Sequence, residues 1–434
     1  MRKLLWASFL ISISLIVVIV VDKASLNRPL GPLATLAIAA LVIWAAFSII
    51  SLVVYRRNNR EIIKNVWMAS AATILSYLIF DLCAGFMFID DASPYMIPDK
   101  LVHHKLLPKS SYVFKNSEFE FVQRVNNIGV RGRDISRKNE ENTYRILMLG
   151  DSFTMGKGVR EEDTFSVILE KSLVVEEAES PVRKIEVINA GVDSYTPLLS
   201  FLLLEHYLNG LEQDLLVLSL DMSDLIQEVA YRKLARYDEN GKIMGVIGEK
   251  KSGITEPISR WIDRNLYITR LVFFYVKKRS KDTETIAVED TVRRASFELL
   301  KHTLADDGQD RTDQWQNIFE SILRIKEYCD THDSEFLLAT YPWGHQVSDK
   351  EWSTQRSLFI PPNAEISDRS VHKIRDFADE NRVDFINAFA AFRQYRGPEP
   401  LYFDNDMHWT PAGHRIMAKE LERFIRDNYI DKGQ

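Results

Sequence analysis

Three long apolar stretches open the chain, and short apolar runs separated by helical patterns follow from about residue 144 onward. Leu4–Val21 and Leu30–Tyr55 carry no charge, and Val66–Ile89 carries only Asp81. A bilayer core of about 30 Å needs about 20 apolar residues, so the pattern predicts three membrane-spanning helices over residues 1–89. Helices are required there because a backbone in hydrocarbon must satisfy its own hydrogen bonds. The first stretch exceeds a signal-peptide core of about 7–15 residues and is followed by no clean cleavage site, so it reads as a retained anchor. Arg2 and Lys3 precede the first stretch, and Arg56, Arg57, Arg60 and Lys64 lie between the second and third. The positive-inside rule places those basic segments in the cytoplasm and everything after Ile89 outside it. Asp81 reads as a residue near the outer end of its helix rather than as a polar path through the membrane.

Residues 90–140 are polar, with scattered Pro and Gly, and read as a linker and lead-in. Five β-like runs follow at Tyr144–Leu149, Ile185–Asn189, Asp214–Leu220, Glu335–Tyr341 and Val383–Asn387. Continuous apolar strands alternating with helices predict an α/β domain over 141–430, with a doubly wound parallel sheet and its site at the carboxyl ends of the strands. An insertion is expected at about 225–310. It holds a hairpin around Asn240–Gly241 and a basic-edged helix over Ile258–Arg279 that reads as a lid or packing helix.

Composition narrows the function classes. The chain has 434 residues, 46% hydrophobic and 27% charged, with a net charge of −6. Residues 1–89 carry eight basic and three acidic side chains, which leaves −11 for the remainder. An acidic domain is a poor binder of nucleic acid, whose affinity rests on neutralising phosphates. The two cysteines, Cys83 and Cys329, make no disulfide framework.

The candidate chemistry lies at the two ends of the α/β region. The first strand runs into Gly150-Asp151-Ser152-Phe153-Thr154. A serine at a strand's carboxyl end, leading into a helix, stands where a nucleophile meets substrate, although Asp and Ser also cap helices for structural reasons. Near the C-terminus, Asp406 and His408 are two apart in an extended loop and project to one side. Asp406 can orient one nitrogen of His408 and leave the other to activate a serine hydroxyl. The bland alternative is a surface loop ending in an N-cap, Thr410, with Pro411 at N1.

These pieces together resemble the SGNH/GDSL hydrolases over roughly 120–425. The first block is similar to GDSFT. Asn126–Gly132 (NNIGVRG) is similar to a stretch that often precedes it in bacterial members. The Asp-x-His-Trp at 406–409 resembles the branch containing polysaccharide O-acetyltransferases and esterases. The resemblance implies a flavodoxin-like sheet, Ser152 as nucleophile, His408 as base and Asp406 as its partner. It also implies an oxyanion hole from the N–H groups of Ser152 and Gly191. Ser223 stands where the family places an asparagine donor, in Asp221-Met222-Ser223-Asp224. The expected activity is hydrolysis or transfer of acyl esters, acetyl above all, on cell-envelope or extracellular carbohydrate, with no cofactor and no metal.

Three spans are too few to carry an acyl group across a membrane, so a transferase would also need a transmembrane acyl-donor protein. The topology expected alongside is a multi-pass protein of a bacterial inner membrane, with its catalytic domain on the periplasmic or extracellular side. The alternative is a catalytically silent scaffold or glycan-binding component of a polysaccharide assembly complex. His345 follows the fourth strand but reads as a packing residue, and His103, His104 and His414 show no metal-ligand pairing.

Overall fold

The computed structural model describes residues 5–10, 13–14, 42, 44–54, 60–88, 95–173, 184–248, 261–262, 265–266, 268–269 and 298–430. The chain divides into two compact units, one of residues 1–92 with 250–290 and one of residues 93–249 with 291–434.

In the first unit the main described element is the helix α1 (Arg60–Phe88). Among the described residues no helix is long and apolar enough to cross a membrane. This overturns the expected three-helix anchor, and with it the placement in a bacterial inner membrane with the catalytic domain outside. In α1, Arg60, Glu61 and Lys64 charge the first turns and Asp81 interrupts the apolar remainder. The first two apolar stretches are described only in part, at 5–10, 13–14, 42 and 44–54, and most of the helix expected at Ile258–Arg279 lies outside the described residues. The Asp81 carboxylate accepts hydrogen bonds from Ile268 N (2.5 Å), Thr269 N (3.1 Å) and Thr269 Oγ1 (2.5 Å). It therefore ties down a turn of its own unit.

The second unit is built on a five-stranded parallel sheet of β5 (Thr143–Leu149), β6 (Lys184–Asn189), β7 (Leu215–Leu220), β10 (Glu335–Thr340) and β11 (Asp384–Asn387). The spatial order is β11-β10-β7-β5-β6, all parallel. In chain order this is 2-1-3-4-5, the flavodoxin-like winding, whose switch point lies between the first and third strands. β5 and β7 flank that point and are buried along their whole length, as strands covered on both faces must be.

The helices are α2 (Ser152–Met155), α3 (Phe165–Ser172), α4 (Pro197–His206), α5 (Asp224–Arg232), α6 (Thr312–Thr331), α7 (Gly344–Val347), α8 (Arg369–Glu380), α9 (Phe389–Gln394) and α10 (Pro411–Ile425). α10 packs on α3, and α6 packs on α4 and α5; right-handed crossovers put these two groups on opposite faces. α10 illustrates the local logic. Thr410 caps it by accepting from Ala412 N (3.2 Å), Pro411 occupies its first turn, and Met417, Ala418, Leu421 and Ile425 bury one face.

The stretch expected as a linker is structured. Residues 95–125 form β1 (Met96–Pro98) paired with β2 (His104–Leu106), and β3 (Ser110–Lys115) paired with β4 (Glu120–Val125), both antiparallel. β3 and β4 alternate between more and less exposed side chains, so only one face packs and the segment reads as polar. The expected hairpin around Asn240–Gly241 joins β8 (Ala235–Tyr237) to β9 (Ile243–Val246).

Candidate active site

β5 delivers the chain to the sheet's carboxyl edge and stops at Gly150. A Cβ there would lie 2.3 Å from Thr154 Oγ1 and 3.1 Å from Ser219 O, so only glycine fits the sharp turn. Asp151 then caps α2 by accepting from Phe153 N (2.9 Å). Ser152 is the first residue of that helix and is 7% exposed.

Two side chains brace the turn from behind. The buried Arg131 guanidinium donates to Met155 O (2.8 Å), Gly156 O (2.7 Å) and Val159 O (2.8 Å), and burial lowers its pKa to about 10. Asn189 Nδ2 donates to Thr154 O (2.8 Å). Arg131 belongs to the Asn126–Gly132 lead-in, whose backbone pairs with both β4 at Val125 and β6 at Asn189.

The other half of the site hangs from a loop before α10. Tyr402 and Trp409 bridge across its neck, and Phe403 N donates to His408 O (3.1 Å). The Asp406 carboxylate accepts from His408 N (3.1 Å) and makes a short hydrogen bond to His408 Nδ1. His408 Nε2 lies 2.7 Å from Ser152 Oγ. With Nδ1 protonated toward Asp406, Nε2 is the acceptor for the serine proton. Burial alone would raise the Asp406 carboxyl, but the hydrogen bond and charge attraction to His408 hold it below the usual carboxylate range. The structure thus brings Ser152, His408 and Asp406 together.

The expected oxyanion donors fare differently. Ser152 N–H has no acceptor among the described residues. Gly191 N–H donates to Asn189 Oδ1 (3.1 Å). Glycine is needed at 191 for packing, since a Cβ would meet Met155 N at 2.2 Å. The Ser223 hydroxyl donates to Asp221, and so does Ser223 N (3.1 Å). Two of the three expected donors are therefore already committed within the protein.

Behind Ser152 lies a group of buried acids that the sequence reading did not single out. Asp151, Asp221 and Asp224 are each at most 5% exposed. Tyr341 OH donates to Asp151 (3.0 Å), Trp343 Nε1 donates to Asp221, and Asp221 N donates to Asp224 Oδ2 (3.0 Å). Among the described residues Asp224 Oδ1 has no partner. Burial, then mutual repulsion, pushes Asp151 and Asp224 well above the usual carboxylate range.

Beside His408, Asp193 accepts from Lys157 Nζ (2.9 Å) and Tyr95 OH (2.7 Å). Burial would raise its carboxyl, but Lys157 and then the neighbouring His408 hold it low. Next to it, Ser194 is exposed and left-handed at φ +61°, with an N–H that has no acceptor among the described residues. Asp193 and Ser194 lie two and three residues beyond Gly191, so the signal was adjacent to the residue chosen.

His345, His414, His103 and His104 lie outside the Ser152–His408–Asp406 arrangement. His345 is buried with Nε2 2.9 Å from Thr303 Oγ1, and burial lowers its pKa to about 3. His414 is likewise buried and lowered to about 3. His103 and His104 pair through their Nδ1 atoms at 2.7 Å. Among the described residues no cluster of His, Cys, Asp and Glu could hold a metal ion.

The chain matches no family model and no curated protein. Solved structures similar to it include a member of the lipolytic protein G-D-S-L family from Veillonella parvula, at 12% identity and TM-score 0.33, covering 65% of this chain and 97% of that one. Another is the acetylxylan esterase Axe2 from Geobacillus stearothermophilus, at 13% identity and TM-score 0.33, covering 66% and 96%. A third is LAE5, an alpha/beta hydrolase from the metagenome of Lake Arreo, at 13% identity and TM-score 0.34, covering 65% and 93%. In sheet order, nucleophile turn and final Asp-x-His-Trp block, the chain resembles the SGNH/GDSL hydrolases.

Proposed function

We propose that the chain is a serine esterase of the SGNH/GDSL type, acting on acyl esters of carbohydrate, acetyl esters above all, through an acyl-serine intermediate. One observation carries the reading: a serine hydroxyl, 2.7 Å from an imidazole nitrogen whose ring partner is a carboxylate, at the carboxyl edge of a parallel sheet. Ser152 Oγ attacks the ester carbonyl while His408 Nε2 takes its proton. Asp406 holds the tautomer and stabilises the imidazolium. The Ser152 N–H supports the developing oxyanion. Collapse of the tetrahedral intermediate expels the alcohol, which receives the proton from His408 and leaves acyl-Ser152. The acyl group then passes to water, or to a sugar hydroxyl in an O-acyltransferase. The carbohydrate assignment rests on the resemblance of the 406–409 block.

The commitment of Gly191 and Ser223 favours a second reading, a catalytically silent scaffold or glycan-binding component. The two readings separate when the full-length protein and Ser152→Ala are mixed with a chromogenic aryl acetate and followed by intact mass. The esterase turns over, gains one acetyl group transiently, and loses both in Ser152→Ala by a factor on the order of 10⁴–10⁶ in rate. A folded parent with no turnover and no acetyl adduct would instead support the silent reading.

A further inference from the structure

The loop bearing Asp406 and His408 is fastened by a carboxylate 286 residues away in sequence. Glu118 sits in the turn between β3 and β4. Asn116 makes that turn rigid: its Oδ1 accepts from Glu118 N (2.8 Å) and Phe119 N (2.9 Å), and its N–H donates to Phe119 O (3.0 Å). The turn presents the Glu118 side chain to the base loop. Glu118 Oε1 accepts from Asp404 N (2.8 Å) and Asn405 N (3.0 Å), and Oε2 accepts from Asn405 N (3.1 Å).

The neighbouring Phe119 ring packs on Phe403 at 5.1 Å between centroids. Phe403 in turn covers Gly158, where a Cβ would meet its ring at 2.6 Å. From the other side, Asp404 O accepts from Thr354 N and Gln355 N, both at 3.2 Å, and Ser353 Oγ donates to the Asp404 side chain (2.9 Å). Asp404 is thus gripped at its N–H and its C=O, two residues before Asp406.

We propose that Glu118 is a positioning residue for the acid–base pair. It takes two consecutive backbone N–H groups at the loop's exposed start, and so fixes where Asp406 and His408 stand relative to Ser152. Asp404 and Asn405 are exposed, so in its absence water competes for their N–H groups and the loop gains freedom that the 2.7 Å contact of His408 with Ser152 cannot accommodate. The β3–β4 hairpin is then part of the catalytic apparatus without touching substrate. The inference rests on the proposed esterase reading for its kinetic consequence, but not for its structural one.

The test compares full-length parent, Glu118→Ala and Glu118→Gln in three readouts: kcat and KM on an aryl acetate, thermal midpoint, and the low-field NMR resonance of the His408 Nδ1–H shared with Asp406. In Glu118→Ala, kcat should fall about 10- to 100-fold, the scale expected of a small misplacement of reacting groups, with KM within about threefold. Its His408 resonance should broaden or exchange faster, with the thermal midpoint held. Glu118→Gln keeps the Oε1 acceptor, and should recover both kcat and the resonance. An unchanged resonance and unchanged kcat in Glu118→Ala would overturn the proposal. So would a loss matched by a collapse in thermal midpoint that Glu118→Gln does not repair. Should the parent prove inactive, the esterase reading falls, while the resonance alone still decides on Glu118.

Discussion

Ser152 and His408 are held in opposite ways. Residues 151–156 lie in the core, braced by the Arg131 and Asn189 side chains and stopped by two glycines, Gly150 and Gly156. The base loop leaves the core at Leu401 and Tyr402, is exposed at Asp404 and Asn405, and returns at His408. What fixes it are hydrogen bonds of its backbone, which donates to Glu118 and accepts from Thr354 N and Gln355 N. Ser152 is thus placed by the fold itself, whereas His408 is placed by attachments that other parts of the chain supply. Packed cores resist displacement, while an exposed loop keeps its geometry only as far as its tethers do.

The strongest way to break this comparison acts on the base side. In Asp406→Asn the amide can donate to Nδ1, which favours the tautomer with its proton on Nε2, facing Ser152. By analogy with triads of this kind, kcat should drop by about 10⁴ with the fold intact. Steady-state kinetics on an aryl acetate checks this, and a drop smaller than tenfold would mean that His408 does not depend on Asp406 for its orientation.

A smaller effect is expected on the nucleophile side. If Ser223 were an oxyanion donor, Ser223→Ala would cost about 10²–10³ in kcat. Its hydroxyl and N–H both go to Asp221, so the expected loss is under about tenfold, below the range for a lost donor. The same variant should lower the thermal midpoint slightly, because buried Asp221 loses a donor. A hundredfold fall in kcat at unchanged stability would restore Ser223 to the oxyanion hole.

The same contrast explains what could be read from the sequence. The strands at 143–149 and 215–220 announce themselves because central parallel strands are apolar throughout. The pieces around Ser152 and at 406–409 could be read because their chemistry is local. Gly191 carries an ambiguous signal, because a glycine after a strand marks close approach of backbone as readily as a donor; here it makes room for Met155 N and its N–H goes to Asn189 Oδ1. Glu118 was illegible for another reason: its partners are backbone groups 286 and 287 residues away, and its hairpin alternates in a way that reads as a polar linker. The anchor expectation takes Asp81 for a tolerated charge near a helix end, whereas its carboxylate accepts from the backbone of Ile268 and Thr269, partners that sequence spacing does not announce.

The last contrast is in pH dependence, and it runs in opposite directions on the two sides. Asp406 is held below the usual carboxylate range, so it adds stability above that range and loses it as pH falls. Asp224 is pushed well above it, first by burial and then by the charges of Asp221 and Asp151. The folded chain therefore keeps a proton on Asp224 that the unfolded chain gives up near pH 4, and stability falls as pH rises beyond that point. In Asp224→Asn the group is neutral in both states and still offers an acceptor to Asp221 N, so its share of the decline disappears. The variant should melt above the parent at pH 8 and match it at pH 4. Thermal melts across that interval decide the matter. A lower midpoint for Asp224→Asn at pH 8 would mean that the ionised carboxylate is stabilised in place, and the core behind Ser152 would then be a charged support rather than a strained neutral one.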